Sequence, residues 1–431
     1  MNKEILRLAI PAIATNISIP ILGLVDTYIV AHLSPLHIGA IGTGCALINM
    51  LYWNFGFIRM STSGMTAQAY GSNDMDETAN TLTRSLLFSI VSILLILAIK
   101  DVFCEFVFTQ METPMEIRRY AEEYFKICVW GAIPTLILYS LKGWFIGMQN
   151  TLYPMTISIS MNIINIFLSY TFVYLLGMGI EGVAYGTVLS QYIALIAALV
   201  LWYHKYSEQI HRICWEKATK MRGLYQMLKI NSTIFVRSLC LVSVTTFIPF
   251  AGAKEGALIL AGNTLLMHFF TFFSYFLDGF AYAGEALTGK YIGAKASKEM
   301  RRSVQYLFIW GIGIACIFSA IYLWGTESIL AFMTNQAEVI TSIDPYIKWV
   351  IAIPIVGFAA FLWDGIMVGA TRIRPMFYGT GTATLVFFLL YRFLIKDWGN
   401  HAIWFAFCCY LATRSIVQTG WWSVNEKEII K

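Results

Sequence analysis

The chain is short of charge. Of its 431 residues only 13% are Asp, Glu, Lys or Arg, about half the share of a soluble protein. With 58% hydrophobic residues and a mean hydropathy of +0.65, the apolar surface is too large to hide in a water-soluble core, so the solvent has to be a bilayer. Metal-ligand spacing is lacking as well. The eight cysteines fall mostly within apolar stretches, at no zinc-like or disulfide-like spacing, and read as small packing residues. The six histidines, from His32 to His401, are scattered, and only His268 lies deep in an apolar stretch, as a packed imidazole. No paired His and Asp set stands near an interface, which excludes the common designs of an integral-membrane enzyme. A cleavable signal is not evident: the first apolar stretch is too long for a signal core, has no small-residue cleavage pattern, and reads as a first span. The net charge of +5 requires no nucleic-acid partner.

What is present in abundance is repetition. Around Thr66 the chain reads MTAQAYGSND, and around Thr288 it reads LTGKYIGAKA. Gly143, Gly147 and Pro154 answer to Gly365, Gly369 and Pro375, at an offset of about 222 residues. An apolar repeat of this size marks a transporter built from two related bundles. About 20 apolar residues cross a bilayer, and twelve such spans can be drawn, from 6–30 and 37–62 to 376–395 and 401–423. The expected fold is all-α and integral to the membrane, with twelve transmembrane helices in two pseudo-symmetric six-helix bundles. These are an N-terminal bundle 1–203, a polar cytoplasmic linker 204–227 and a C-terminal bundle 228–431. Lys and Arg are retained on the cytoplasmic side. With the N-terminus inside, 19 basic residues, Lys142, Lys427 and Lys431 among them, fall on inner segments or inner span ends, against 8 outside. Arg59, Arg237 and Arg414 remain within spans. A monomer in the inner (cytoplasmic) membrane is expected, with both termini in the cytoplasm and the linker's basic residues along the anionic leaflet.

Chemistry has to be sought among the charges that a bilayer should exclude. Asp26 is the clearest, about 19 residues beyond Arg7 and roughly 28 Å up an ideal helix, in the outer half of the first span. Pro11 removes a backbone donor earlier in that span and makes a candidate hinge. The fifth span carries Asn162, Asn165 and Ser169 on one helical face, and Thr187 of the sixth reaches a similar depth. Such groups also serve as glue between membrane helices, but a carboxylate at the same level favours a proton or cation site. A carboxyl alternately wet and dry binds and releases a proton. Equally, Asn165, Ser169 and Thr187 can complete an oxygen shell for Na+ beside Asp26, and the residues do not choose between these ions. In the second half, Arg237, Asp278, Glu285 and Asp364 form a candidate polar site, read either as a structural ion pair or as part of substrate binding or coupling.

Six segments in order carry a resemblance: PILGLVDTYIVAHL (20–33), GFIRMSTSGMTAQAYG (56–71), FVRSLCL (235–241), FLDGFAYAGEALTGKYIGA (276–294), FLWDGIMVGATRIRPM (361–376) and GNHAIWFAFCCYLATRS (399–415). Over essentially its full length the chain resembles the multidrug and toxic compound extrusion (MATE) transporters, specifically their DinF-like branch. The resemblance implies two six-helix lobes around a central cleft. It also implies export of amphipathic or cationic organic compounds in exchange for inward H+ or Na+, with no cofactor beyond the coupling ion. It points to Asp26 as the coupling residue, Pro11 at the bend of its helix, and Asn165 and Thr187 beside it. The family commonly has a second Asp on the fifth span where this chain has Ser169, which moves the expectation toward protons. Arg59 and Arg414 are expected to tie helices together or cap their ends. Two rivals stand beside this reading. A lipid-linked precursor flippase of the same broad superfamily needs several basic cavity residues, and a gated channel needs no coupling carboxylate.

Overall fold

The computed structural model describes residues 1–31, 35–111 and 114–429; His32, Lys431 and the side chain of Lys427 lie outside the described residues. Every regular element among the described residues is helical. In the first half, α1 (Asn2–Ala31) runs unbroken through Pro11 and Pro20. The second expected span is two helices, α2 (Pro35–Trp53) and α3 (Phe57–Gly71), and α4 (Met75–Met111) follows. The fourth span is α5 (Met115–Cys128) and α6 (Ala132–Gly147), joined by a 3-10 turn. Next come α7 (Leu152–Tyr170), which continues into a π-helical turn at Thr171–Leu175, and α8 (Gly179–Tyr206). The segment expected as a linker contains a 3-10 stretch and the short α9 (Trp215–Ala218), while its ends belong to α8 and to α10 (Met221–Lys254). The second half continues with α11 (Ala257–Gly293), α12 (Ser297–Met333), α13 (Ala337–Ile343), α14 (Ile347–Gly369), α15 (Ile373–Trp398) and α16 (Asn400–Ile429).

Among the described residues, 11 helical segments are long and apolar enough to cross a membrane. The twelfth span is α16, whose 30 residues are less apolar because it carries Asn400, Arg414 and Gln418. All three are buried within the second half, so the polarity faces protein rather than lipid. Asn400 and Asn263 of α11 exchange amide hydrogen bonds of 2.8 and 2.9 Å, and the Trp404 indole donates to the same Asn263 carbonyl at 2.9 Å.

The chain forms two compact units, Ala14–Leu228 and Met1–Ile13 with Lys229–Lys431. The first thirteen residues therefore pack with the second half. Gly279 of α11 leaves room for Ile13 and for the Ala9 carbonyl, Tyr291 donates to Glu4 at 3.1 Å, and the Trp310 indole donates to Asn2 at 3.2 Å. The linker packs with the first half. Arg84 of α4 pairs with Glu77 and donates to the carbonyls of Lys217 and Ala218 at 3.0 and 3.1 Å, while Thr78 donates to Gln209 at 3.1 Å.

Repeated glycines make the same helix crossing twice. A Cβ on Gly143 would lie 2.4 Å from the Arg59 carbonyl oxygen, and one on Gly147 would lie 2.5 Å from Thr66, so α6 meets α3 backbone to backbone. In the second unit, a Cβ on Gly365 or Gly369 of α14 would lie 2.0 or 2.3 Å from the carbonyl oxygens of Ala281 and Glu285 of α11, respectively. Arg59 and Ala281 stand at the repeat offset, as do Gly143 and Gly365. Close approach of this kind suits a bilayer, where lipid tails give helices no hydrophobic reason to associate. Replacing Gly365 by Ala is expected to cost about 1–3 kcal/mol, because the added methyl meets backbone that cannot rotate away. Gly381→Ala, where nothing lies within 4 Å, should leave thermal unfolding in detergent unchanged or slightly raised; equal behaviour of the two variants would refute the tight crossing.

The caps repeat too. Asn73, Gln149, Lys295 and Thr371 adopt left-handed φ values of 60°, 61°, 53° and 54° just past α3, α6, α11 and α14. In each case the next N–H returns 2.9 Å to the carbonyl five residues back: Asp74 to Ala69, Asn150 to Phe145, Ala296 to Tyr291, Arg372 to Met367. This is the Schellman arrangement, here without its usual glycine.

Candidate functional site

The polar face of α7 is longer than the sequence reading made it. Ser158, Asn162, Asn165 and Ser169, at spacings of four, three and four, are all buried and share one side of the helix. Each has a partner on another element or along the stripe. Asn162 donates to the carbonyl and to the hydroxyl of Ser18 on α1, both at 3.0 Å. Asn165 donates to Thr187 of α8 at 3.0 Å, and Ser169 reaches the Asn165 carbonyl oxygen at a long 3.5 Å. Gly186 of α8 permits this packing, since a Cβ there would lie 2.5 Å from Ser169 Oγ. Thr187 closes on its own helix as well, donating to Val183 O at 2.9 Å.

Past the stripe, Tyr174 in the π-helical turn donates to the Ile29 carbonyl of α1 at 2.8 Å. With Ser18 beside Asn162 and Ile29 beside Tyr174, α1 and α7 run parallel and in register. Asp26, eight residues beyond Ser18, is therefore level with Ser169 and Tyr170. It is 8% exposed, and its Oδ1 has no hydrogen-bond partner among the described residues. No hydrogen bond joins it to Asn165, Ser169 or Thr187 among the described residues; these three are bonded to each other instead. The charge of Asp26 is felt at Cys45, Tyr124 and Cys128, and the first two of these meet at 3.3 Å between Sγ and Oη. The neighbours of Asp26 in the chain, Val25 and Ile29, pack in the apolar core that α2 and α5 share, and Asp26 itself is at the height of the α7 stripe. Pro11 falls two residues before the boundary between the compact units at Ile13 and Ala14.

The second-half charges gather around Asp364 of α14. Its Oδ2 accepts from Arg237 of α10 and from Arg414 of α16, the latter at 2.6 Å, and its Oδ1 accepts from Gln418 at 3.0 Å. Arg237 and Arg414 are 4% and 2% exposed. The charge of Asp278 on α11 is felt at both guanidinium groups. Arg414 also lies over the rings of Tyr410 and Phe361, 5.5 and 5.9 Å from their centroids, a contact that favours a cation. Glu285 is buried on α11 where Gly369 crosses its backbone. The sequence reading paired Arg237 with an acid but missed Arg414 and Gln418 as partners of that acid. Their spacing of four residues on α16 is the signal that puts Tyr410, Arg414 and Gln418 on one face.

The chain is similar to known proteins. The family model described as MatE matches it twice, over residues 11–171 and 233–393. The two matches begin 222 residues apart and end 222 apart, the offset of the sequence repeat. DNA damage-inducible protein F of Escherichia coli (strain K12) is 33% identical over 98% of this chain and 92% of its own length. Protein DETOXIFICATION 44, chloroplastic, of Arabidopsis thaliana is 24% identical over 99% of this chain and 83% of its own. Among solved structures, a MATE protein crystallised in a bent conformation superposes with a TM-score of 0.88 at 18% identity, over 99% of this chain and 96% of that one. At that identity the likeness establishes the fold alone.

Proposed function

The chain belongs to the MatE family of multi-pass membrane transporters, and from that premise we propose that it exports amphipathic or cationic organic compounds by antiport against an inward flow of protons. The observation that carries the reading is Asp26, a buried carboxyl with one oxygen left without a hydrogen bond among the described residues, level with the α7 stripe. A proton needs only that free oxygen. A sodium ion needs several oxygen ligands, and here Thr187 Oγ1 already accepts from the Asn165 amide while Asn165 Oδ1 accepts from Ser169. Proton coupling is therefore favoured over Na+ at Asp26, Asn165 and Thr187. The transporter is read as a monomer in the inner membrane with both termini in the cytoplasm, and Pro11 as a hinge of α1.

The second-half cluster is read as structural. Two guanidinium groups held on one carboxylate bind α10, α14 and α16 together, and the two arginines already occupy the Oδ2 that a mobile cation would need.

Purified protein in proteoliposomes tests the coupling. Efflux of a fluorescent organic cation should rise with an imposed pH gradient and be unaffected by a sodium gradient of equal size. A sodium-driven flux with no response to pH would reverse the assignment, and flux without either gradient would identify a channel.

A further inference from the structure

The first unit contains a cation that the coupling scheme leaves unused. Lys142 lies on α6, five residues before its C-terminal Gly147, and is half-buried. Its ammonium donates 2.7 Å to Ser158 Oγ, the first rung of the α7 stripe. It forms no ion pair among the described residues. Three buried arginines of this chain do have ion pairs: Arg84 has Glu77, and Arg237 and Arg414 share Asp364.

An ammonium has three donors and no acceptor. Ser158 takes one of them, and Ser158 is itself 4% exposed, fixed on α7 one turn below Asn162. The remaining positive charge is half-buried between helices, where a charge without an opposite partner is costly. Side chains kept under such conditions are suited to a visiting partner of opposite sign. Ser158 holds the ammonium in position and, being neutral, does not cancel its charge.

We propose that Lys142, oriented by Ser158, is an anion-binding point of the first unit that receives the acidic group of an amphipathic compound. Carboxylates, sulfonates and phosphate monoesters share the required chemistry, an oxyanion that accepts charge-assisted hydrogen bonds from a point cation. The inference rests on the export reading for its physiological meaning. It adds amphipathic acids to the compounds of that reading.

Equilibrium binding, measured without any gradient, keeps this separate from coupling, so that failure of antiport and failure of anion binding are distinct results. The probes are two xanthene dyes of similar size and opposite charge, fluorescein and rhodamine 6G, followed by fluorescence polarisation on the full chain in detergent. Lys142→Gln should weaken fluorescein binding about tenfold and change rhodamine 6G binding less than about twofold, whereas Lys142→Arg should retain fluorescein binding. Unchanged fluorescein affinity in Lys142→Gln overturns the proposal, and so does an equal loss for both dyes, which would report a general change of shape. Thermal unfolding shows whether the variant is folded. If it is not, wild-type protein decides: bound fluorescein should be displaced by naphthalenesulfonate but not by naphthalenemethanol, and equal displacement by the two overturns the proposal.

Discussion

Replacing Asp26 by Asn is expected to abolish proton-driven efflux while the protein still folds. Asparagine has nearly the size of aspartate, and the side chain it replaces has an oxygen without a hydrogen bond among the described residues, so the exchange removes a titrating group without breaking a resolved contact of that oxygen. The change in stability should remain within about 1 kcal/mol. Transport should respond far more strongly, because an amide neither takes up nor releases a proton at physiological pH. Substrate flux in vesicles bearing an imposed pH gradient is the measurement, with thermal unfolding of the same preparation as the control. Gradient-driven flux at the wild-type rate would remove Asp26 from the coupling mechanism and turn attention to the second unit.

The opposite pattern is expected at Asp364, where loss should fall on folding. Asp364→Asn leaves the buried guanidinium groups of Arg237 and Arg414 without the carboxylate they share, and breaking a buried ion pair from one side costs about 3–5 kcal/mol. Arg237→Met should cost less, since Arg414 still neutralises Asp364 at 2.6 Å and Gln418 still donates to its other oxygen. Thermal unfolding in detergent should therefore rank wild type above Arg237→Met, and Arg237→Met above Asp364→Asn. If Asp364→Asn unfolds like wild type yet fails to transport, the cluster is a coupling site and the structural reading is wrong. The two positions are informative together: at Asp26 a carboxyl has an oxygen without a partner among the described residues, and at Asp364 a carboxyl is surrounded by donors, so the same Asp→Asn exchange should separate function from stability.

Composition alone determined the solvent of this protein, because no soluble core can bury so large an apolar fraction. Periodicity and the repeat determined the helical class and the twofold construction, since each half must place equivalent glycines where two backbones meet. Gly143 and Gly365 were visible for that reason; a glycine inside an apolar helix is an informative exception. The face of α7 that carries Asn162, Asn165 and Ser169 was legible too, because side chains three and four apart share a side of any helix.

What the sequence could not determine was partnership across elements. Arg414 and Gln418 join Asp364 from 50 and 54 residues away, and Lys142 meets Ser158 through the packing of α6 on α7. A one-dimensional pattern records which residues face the same way along one helix but says nothing of which neighbour they face. The same limit hid the four left-handed caps, where Asn73, Gln149, Lys295 and Thr371 stand in place of the glycine that would have marked them. It also hid the place of the first thirteen residues, which precede the first half in the chain yet pack with the second. That placement is decided by Gly279, Tyr291 and Trp310, whose contacts with Ile13, Glu4 and Asn2 exist only once the helices have come together.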